Sequence, residues 1–237
     1  MSTVPNKSAL GPAIAGGIAG SLLTAALLLV ALPDTLSSRL VRSGMLADPA
    51  ILNDTVDALR DSQYAPVLDA HRAALEKPFG SSWKGSANPD VTVVEFFDYA
   101  CPYCKASNAD VARLVAEDKG VRVVYRELPI LGPESVTTAR LSLAASQAGR
   151  FNQFHDALYA AGKPAAETNA RAAAAVGMAP EPRPDPRAEE ELKRNFDLAG
   201  KLGATGTPLF VVGDRVLNGA VGYDALKAAV EKAREKS

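Results

Sequence analysis

With 237 residues, of which 47% are hydrophobic, the chain is long enough for one ordinary domain with additional segments and can bury a substantial core. Lys and Arg (26) nearly balance Asp and Glu (27), so the formal net charge is −1 and a strongly basic nucleic-acid surface is excluded. Two cysteines are too few for the disulfide framework of a small secreted protein. The near balance of positive and negative charges also predicts that the chain has no nucleic-acid partner.

The chain begins with an uncharged, largely apolar stretch at residues 9–32, which is long enough to cross a bilayer as a helix. Lys7 precedes it and favours a cytoplasmic N-terminus. A cleaved signal peptide is the alternative, but Pro33 follows the stretch directly and no small-residue cleavage site is evident. We predict that residues 1–44 hold a cytoplasmic tip, a single-pass anchor at about 9–32 and a linker. Both interpretations place the remainder outside the cytoplasm, where disulfides persist.

Residues 45–77 are predicted to form a short helical stalk. Leu52, Val56 and Leu59 recur at helical spacing on one face. Pro66 is predicted to begin a second helix, because proline suits a first helical turn and not a helix interior. Two interpretations remain open for this region: a helical pair packed on its own domain, and a surface for homo-oligomerisation.

A βαβ unit is predicted next. Residues 91–97 are apolar nearly throughout, as in a strand buried on both faces. A helix from about Pro102 to Asp118 and a strand at 121–126 follow. Strands joined by a helix over so short a span should be parallel, with a right-handed crossover.

The pattern then becomes helical until about residue 203. We predict segments at 135–148, 151–161, 165–176 and 188–202, interrupted by a stiff proline-rich loop at 180–186. Strands at 208–212 and 215–218 and a closing helix at 223–234 complete the chain. The predicted order is βαβ, a helical block, then ββα.

The two cysteines, Cys101 and Cys104, directly follow the first strand and lie at the start of a helix. A thiolate is the nucleophile in disulfide exchange, and the positive end of a helix stabilises it. We therefore expect Cys101 to be the attacking thiol and Cys104, one turn further on, to be the resolving thiol. Pro102 fits the first turn, where its missing N–H is not needed.

Other uses of a Cys-x-x-Cys pair are weaker. A zinc site needs more ligands, and the only histidines, His71 and His155, lie on separate predicted helices without metal-type spacing. A purely structural disulfide would close a very small ring and constrain little of the unfolded chain. We therefore predict redox chemistry, with no metal and no bound cofactor.

Two further positions support that chemistry. Thr207-Pro208 places a proline at the start of a strand, where the choice lies between a cis peptide bond and an ordinary trans proline. A backbone bent there would offer residue 207 to a substrate peptide. Glu95 lies in the middle of an apolar strand, where it is either a proton carrier for Cys104, a partner in a buried salt bridge or the mark of a local bulge.

Together, the segments 94–104 and 206–210 and the helical block between the halves resemble the DsbA-like branch of the thioredoxin superfamily, over about residues 78–237. The resemblance implies an α/β, thioredoxin-like fold with an inserted helical domain at about 133–203. It implies catalytic roles for Cys101 and Cys104, a supporting role for Pro102, Tyr103 and Glu95, and a substrate-binding, cis-proline loop at Thr207 and Pro208.

Two departures bear on the direction of electron flow. Pro102-Tyr103 stands where the best-known oxidases carry a histidine between the cysteines, which predicts a less extreme oxidant. Thr207 is similar to the residue in isomerase members, and the N-terminal helices resemble those of copper-sensitivity-suppressor disulfide isomerases, some of which oligomerise there. Oxidase, isomerase and reductase therefore remain open, with oxidase favoured; a client-binding chaperone module and a redox partner dedicated to one client are further alternatives.

The resemblance also implies partners and a location. Substrates would be folding secreted proteins, and electrons would pass to or from a membrane redox partner of DsbB-like or DsbD-like type. The catalytic domain is expected in the bacterial periplasm, anchored to the inner membrane; with a cleaved signal it would be soluble there.

Overall fold

The computed structural model describes residues 33–181 and 184–235, and the elements below belong to those ranges. In chain order they are α1 (Pro33–Ala47), α2 (Ala50–Glu76), β1 (Trp83–Gly85), β2 (Val91–Phe97), α3 (Pro102–Glu117), β3 (Val121–Glu127), α4 (Pro133–Gln147), α5 (Phe151–Ala161), α6 (Ala166–Ala175), α7 (Pro186–Lys201), β4 (Leu209–Val212), β5 (Arg215–Asn218) and α8 (Tyr223–Arg234). The predicted order of βαβ, helical block and ββα is confirmed.

The five strands form one sheet in the order β1-β3-β2-β4-β5. β2 runs parallel to β3, as the short strand–helix–strand spacing predicted, and antiparallel to β4. β1 pairs antiparallel with β3 and was not predicted, because three residues are too few to show a periodic pattern. Because β2 is the central strand, the segment that follows it leaves the middle of the sheet at the carboxyl ends of β2 and β3.

Both faces of β2 and β3 are buried, as their continuous apolar sequences predicted. Val93, Phe97 and Tyr125 belong to the face that packs against α3, α8 and the helical block. Val94 and Phe96 belong to the other face, which packs against the end of α2 and the end of α7. Glu95 lies two residues after Val93 and two before Phe97, so its side chain points to the same face of the sheet as theirs. This is the face that carries the cysteines.

The described residues divide into two compact units, one before and one after the junction of Ala58 and Leu59. In the first, residues 33–47 form a helix where a linker was predicted for the segment up to residue 44, so that interpretation was wrong. Pro33 is compatible with a helix because it occupies the first turn. The predicted anchor at 9–32 lies outside the described residues; within them, no helix combines the length and apolarity needed to span a bilayer.

The prediction that Pro66 begins a new helix was also wrong, because α2 continues through it. An internal proline loses one backbone hydrogen bond and costs about 3 kcal/mol. Leu68 and Leu75, in the following turns, are fully buried against the sheet. Burying a leucine contributes about 1.5–3 kcal/mol, so these two side chains offset the cost. The later part of α2 is therefore packed on its own domain.

A buried arginine fixes the C-terminal end of α2. Arg126 points from β3 to the face opposite the cysteines and forms an ion pair with Glu191 on α7 at 2.8 Å. It also donates to Asn195 Oδ1 at 2.9 Å and to the carbonyl oxygens of Ala74, Leu75 and Lys77. Arg126 thus satisfies helix-end carbonyls that would otherwise lack donors.

Candidate active site

The cysteine pair lies at the junction of β2 and α3. Cys101 is the N-cap residue of α3, with an extended backbone (φ −79°, ψ 120°), and Pro102 occupies the first helical turn. The Cys101 carbonyl accepts from Lys105 N at 3.1 Å, and Cys101 N donates to Asp98 O at 2.9 Å. The Cys101 sulfur therefore lies at the positive end of the α3 dipole, beside the unpaired N–H groups of the first turn.

The two thiols are free and have different surroundings. Cys101 is 5% exposed, whereas Cys104 is fully buried. The Cys101 thiol donates to the backbone oxygen of Thr207 at 3.1 Å. This contact joins the N-terminus of α3 to the loop that precedes β4, although more than a hundred residues separate them in sequence.

The Thr207–Pro208 peptide bond is cis, as the resemblance implied. Pro208 is buried, and its carbonyl accepts from Gly219 N at 2.8 Å at the end of β5. Thr207 Oγ1 is buried without a hydrogen-bond partner of normal geometry. The loop therefore presents the backbone of residue 207, and not its side chain, to the attacking sulfur.

Glu95 is a buried acid on the sheet face that carries the cysteines, close enough to Cys104 to interact with it electrostatically. It is 1% exposed, and its Oε2 has no hydrogen-bond partner. Burial raises the pKa of Glu95 to about 8, and the charge of Lys84 opposes the rise. The alternative of a buried salt bridge finds no partner among the residues that the structure describes, and Lys84, the cation that acts on Glu95, forms its ion pair with Asp156 at 2.6 Å.

Cys104 and Glu95 influence each other. Burial raises the pKa of the Cys104 thiol well above its usual range, and the negative charge of Glu95 raises it further. The Thr207 hydroxyl is close enough to oppose this rise, although it makes no regular hydrogen bond. Cys104 therefore carries its proton in the folded protein and needs an acceptor before it can act as a nucleophile.

A second buried acid, Glu127, ends β3 on the same face of the sheet, and its register partner is Phe97. Burial raises the pKa of Glu127 well above its usual range, and the charge of Asp98 raises it further. Its Oε1 has no hydrogen-bond partner. Sequence reasoning missed Glu127; the available signal was a carboxylate at the end of an otherwise apolar strand.

A polar network connects the redox turn to the helical block. Tyr99 Oη lies 3.0 Å from Ser142 Oγ and 3.2 Å from His155 Nδ1, and His155 Nε2 lies 3.4 Å from Asn108 Oδ1 on α3. Burial lowers the pKa of His155 well below its usual range, so the ring is neutral. His155 was considered only as a zinc ligand in the sequence; its ring nitrogens face Tyr99 and Asn108 instead.

Tyr99→Phe is expected to lower the free energy of unfolding by about 1–2 kcal/mol, because the buried partners Ser142 and His155 lose a shared hydroxyl. Chemical denaturation at neutral pH measures the change. Tyr103→Phe is the matched control, since that side chain is 64% exposed and should change stability little. Equal stability changes in the two variants would contradict the network.

The structure brings most of the predicted site residues together. Cys101 contacts Thr207, and Cys104 interacts with Glu95. Pro102 and Tyr103 are exposed on the outer side of the turn. Of the buried groups around the pair, those that sequence reasoning did not select are Asp98, Tyr99, Glu127 and Ser142.

Residues 92–231 match a family described as DSBA-like thioredoxin domain. The match covers more than half of the chain. The chain belongs to this family. Its fold is therefore the thioredoxin-like α/β fold, here with a helical block between its two halves.

Solved structures of DSBA-like and related proteins resemble the chain. A thioredoxin-like oxidoreductase from Silicibacter pomeroyi is 41% identical, with 70% of this chain and 99% of that chain covered and a TM-score of 0.65. Proteus mirabilis ScsC, in a transitional conformation, is 26% identical, with 86% of this chain and 96% of that chain covered and a TM-score of 0.67. The similarity to ScsC includes more of the chain than the family match.

Curated relatives are consistent with this assignment. Disulfide bond formation protein D from Bacillus subtilis is 28% identical over 170 residues, or 62% of this chain and 74% of that protein. The chain also matches Na(+)/H(+) antiporters of Salinispora arenicola and Salinispora tropica at 31% and 32% identity over 162 residues, but spans only 24% of their length. Family membership, the oxidoreductase from Silicibacter pomeroyi and the disulfide bond formation protein from Bacillus subtilis support thiol–disulfide oxidoreductase activity for this domain.

Proposed function

We propose that the chain exchanges disulfides with folding secreted polypeptides outside the cytoplasm, and that oxidation of client thiols is its favoured direction. The observation that carries the proposal is the arrangement of the pair. Cys101 lies at the N-terminus of α3 with its sulfur 3.1 Å from Thr207 O, whereas Cys104 is buried beside Glu95. One sulfur is placed to meet a client, and the other is placed to complete the exchange inside the protein.

In the oxidising direction, the pair begins as a disulfide. A client thiolate attacks Cys101 Sγ, the bond to Cys104 breaks, and a mixed disulfide forms. A second client thiolate then attacks the client sulfur of that mixed disulfide, which forms the client disulfide and releases Cys101 as a thiolate. Two electrons pass from the client to the pair. A membrane redox partner removes them and restores the disulfide.

Glu95 supplies the proton that this sequence requires. When Cys104 leaves as a buried thiolate it must be neutralised, and a protonated acid close to it can donate. In the reverse direction, Cys104 attacks the mixed disulfide and Glu95 accepts its proton. A cleft of about 280 Å³ is lined in part by Lys84, Tyr125 and Tyr159, three residues that interact electrostatically with Glu95.

Isomerisation or reduction is the second candidate, and the N-terminal helices favour it. Residues 45–58 expose large apolar side chains, namely Met45, Leu46, Ile51, Leu52 and Val56. Such a surface fits the homo-oligomer proposed through residues 45–77, with contacts limited to the part before Leu68, which is buried in its own domain. An oligomer that presents several pairs would suit isomerisation.

Location and partners belong to the same proposal. A single-pass anchor at about 9–32 would hold the catalytic domain in the periplasm beside the bacterial inner membrane. The redox partner would then be a membrane protein of DsbB-like or DsbD-like type. No cofactor is required, because the two sulfurs hold the electrons.

Two assays on the purified chain test the direction. A reduced, unfolded polypeptide that needs one disulfide should be oxidised stoichiometrically by the disulfide form of the protein. The same polypeptide carrying a wrong disulfide should be rescued much more slowly by the dithiol form. If the dithiol form rescues the wrong disulfide faster than the disulfide form oxidises the reduced client, the proposed function changes from oxidase to isomerase.

A further inference from the structure

Asp98 is a buried carboxylate that joins two segments beside the cysteine pair. It directly follows the last residue of β2 and is 1% exposed. Its Oδ1 accepts from Ala100 N at 2.8 Å, within the turn that leads to Cys101. Its Oδ2 accepts from Ile130 N and Leu131 N, both at 2.9 Å, in the loop after β3. One side chain thus connects the redox turn to the neighbouring loop.

The backbone of Asp98 contacts both cysteines. Its carbonyl accepts from Cys101 N at 2.9 Å. Its backbone also lies close enough to the Cys104 sulfur to oppose the rise that burial causes in the pKa of Cys104. A movement of residue 98 would therefore change the placement of Cys101 and the surroundings of the Cys104 sulfur together.

The three donors require a carboxylate. Both oxygens of an ionised Asp accept hydrogen bonds, whereas Asn offers one oxygen and would point an NH₂ group at other N–H donors. The nearby Glu127 keeps its proton, because burial and the charge of Asp98 raise its pKa. At Asp98, by contrast, three backbone N–H groups donate to the two carboxyl oxygens.

We propose that Asp98 is a positioning residue for disulfide exchange, which holds the Cys101 turn against the Ile130–Leu131 loop. The inference rests on the proposed function. Exchange requires the attacking and leaving sulfurs to be aligned, and small displacements of a reacting group cost large factors in rate. A polypeptide client meets both segments, since Ile130 is 43% exposed and Leu131 is 52% exposed. A small disulfide needs only Cys101.

Asp98→Asn tests the proposal in the full chain, with rates measured well below the melting temperature of each variant. Reaction of the dithiol form with oxidised glutathione is expected to slow about tenfold, and reaction with an unfolded polypeptide that carries one disulfide to slow about a hundredfold. A larger loss of rate with the polypeptide than with glutathione indicates that the Ile130–Leu131 loop has loosened. A general loss of stability would not produce this difference while the protein remains folded.

Glu191→Gln is the matched control. Glu191 is another buried carboxylate, paired with Arg126 and Arg194 on the sheet face opposite the cysteines. This variant should have a lower melting temperature but exchange rates within about twofold of the parent. Asp98→Asn rates within twofold of the parent, or equal to those of Glu191→Gln, would overturn the positioning role.

If Asp98→Asn does not fold, Asp98→Ser replaces it. Serine is smaller, leaves no misdirected NH₂ group and lets water reach the N–H donors. The same unequal losses are expected, and parent-like rates would again overturn the proposal. An inactive parent protein would instead refute the proposed function, so the two failures are distinguishable.

Discussion

Cys101→Ser is expected to reduce disulfide exchange with a polypeptide client to the uncatalysed rate. Cys101 lies at the N-terminus of α3 with its sulfur against Thr207 O, and a serine hydroxyl cannot form a mixed disulfide there. Cys104 cannot replace it, because that sulfur is fully buried and keeps its proton. The effect is measured as the rate at which a reduced client is oxidised, with the loss of the client's free thiols as the readout.

Cys104→Ala is the complementary variant. The dithiol form of the parent resolves a mixed disulfide by attack of Cys104, so the variant should accumulate covalent adducts with clients that carry disulfides. Mass spectrometry should locate every adduct on Cys101.

If the Cys101→Ser variant rescues clients as well as the unchanged protein does, the exchange mechanism is contradicted and a client-binding chaperone is favoured. The number of trapped clients would separate a general enzyme from a partner of one protein.

Glu95→Gln is expected to raise the free energy of unfolding at pH 7 by about 3 kcal/mol and to change it little near pH 4. The folded protein holds the Glu95 proton up to about pH 8, while the unfolded chain releases it near 4.5. Between these values the folded state binds more protons, so stability falls as pH rises. Glutamine does not ionise and avoids this loss.

The same variant should be less active. Without an acid beside Cys104, proton transfer to and from its sulfur loses its partner, and resolution of mixed disulfides is expected to slow by about a hundredfold. Denaturation curves between pH 4 and pH 9, together with single-turnover exchange, test both effects. Glu191→Gln is the control, because that carboxylate is paired and its loss should destabilise the protein at pH 7. A stability gain at pH 4 equal to that at pH 7 would contradict a neutral Glu95.

Local signals in the sequence were sufficient for most of the fold. The apolar run of β2 and the turn between β4 and β5 predicted these elements, with the bounds 91–97 and 215–218 unchanged in the structure. Pro66 was misjudged because a local rule against proline in helices was outweighed by burial of Leu68 and Leu75, a tertiary effect. β1 has only three residues, and its pairing with β3 depends on contacts that local sequence does not reveal.

The candidate site was predictable where a motif fixes neighbours in sequence. Cys101, Cys104 and Glu95 lie in one continuous segment, so spacing alone placed them together. Asp98 lies in the same segment but has the sequence signature of an ordinary turn residue, because its partners in the Ile130–Leu131 loop are more than thirty residues away. Arg126 was missed for the same reason, since its buried partner Glu191 is 65 residues distant.

The reduction potential of the Cys101–Cys104 pair tests the central claim most directly. Equilibration of the purified chain with glutathione buffers of graded composition should convert two thiols into one disulfide in a single two-electron transition. With tyrosine in place of histidine between the cysteines, we expect a potential between that of DsbA, about −120 mV, and that of thioredoxin, about −270 mV. A pair that never forms the disulfide, or whose potential is as low as that of thioredoxin, would contradict an enzyme that oxidises its clients.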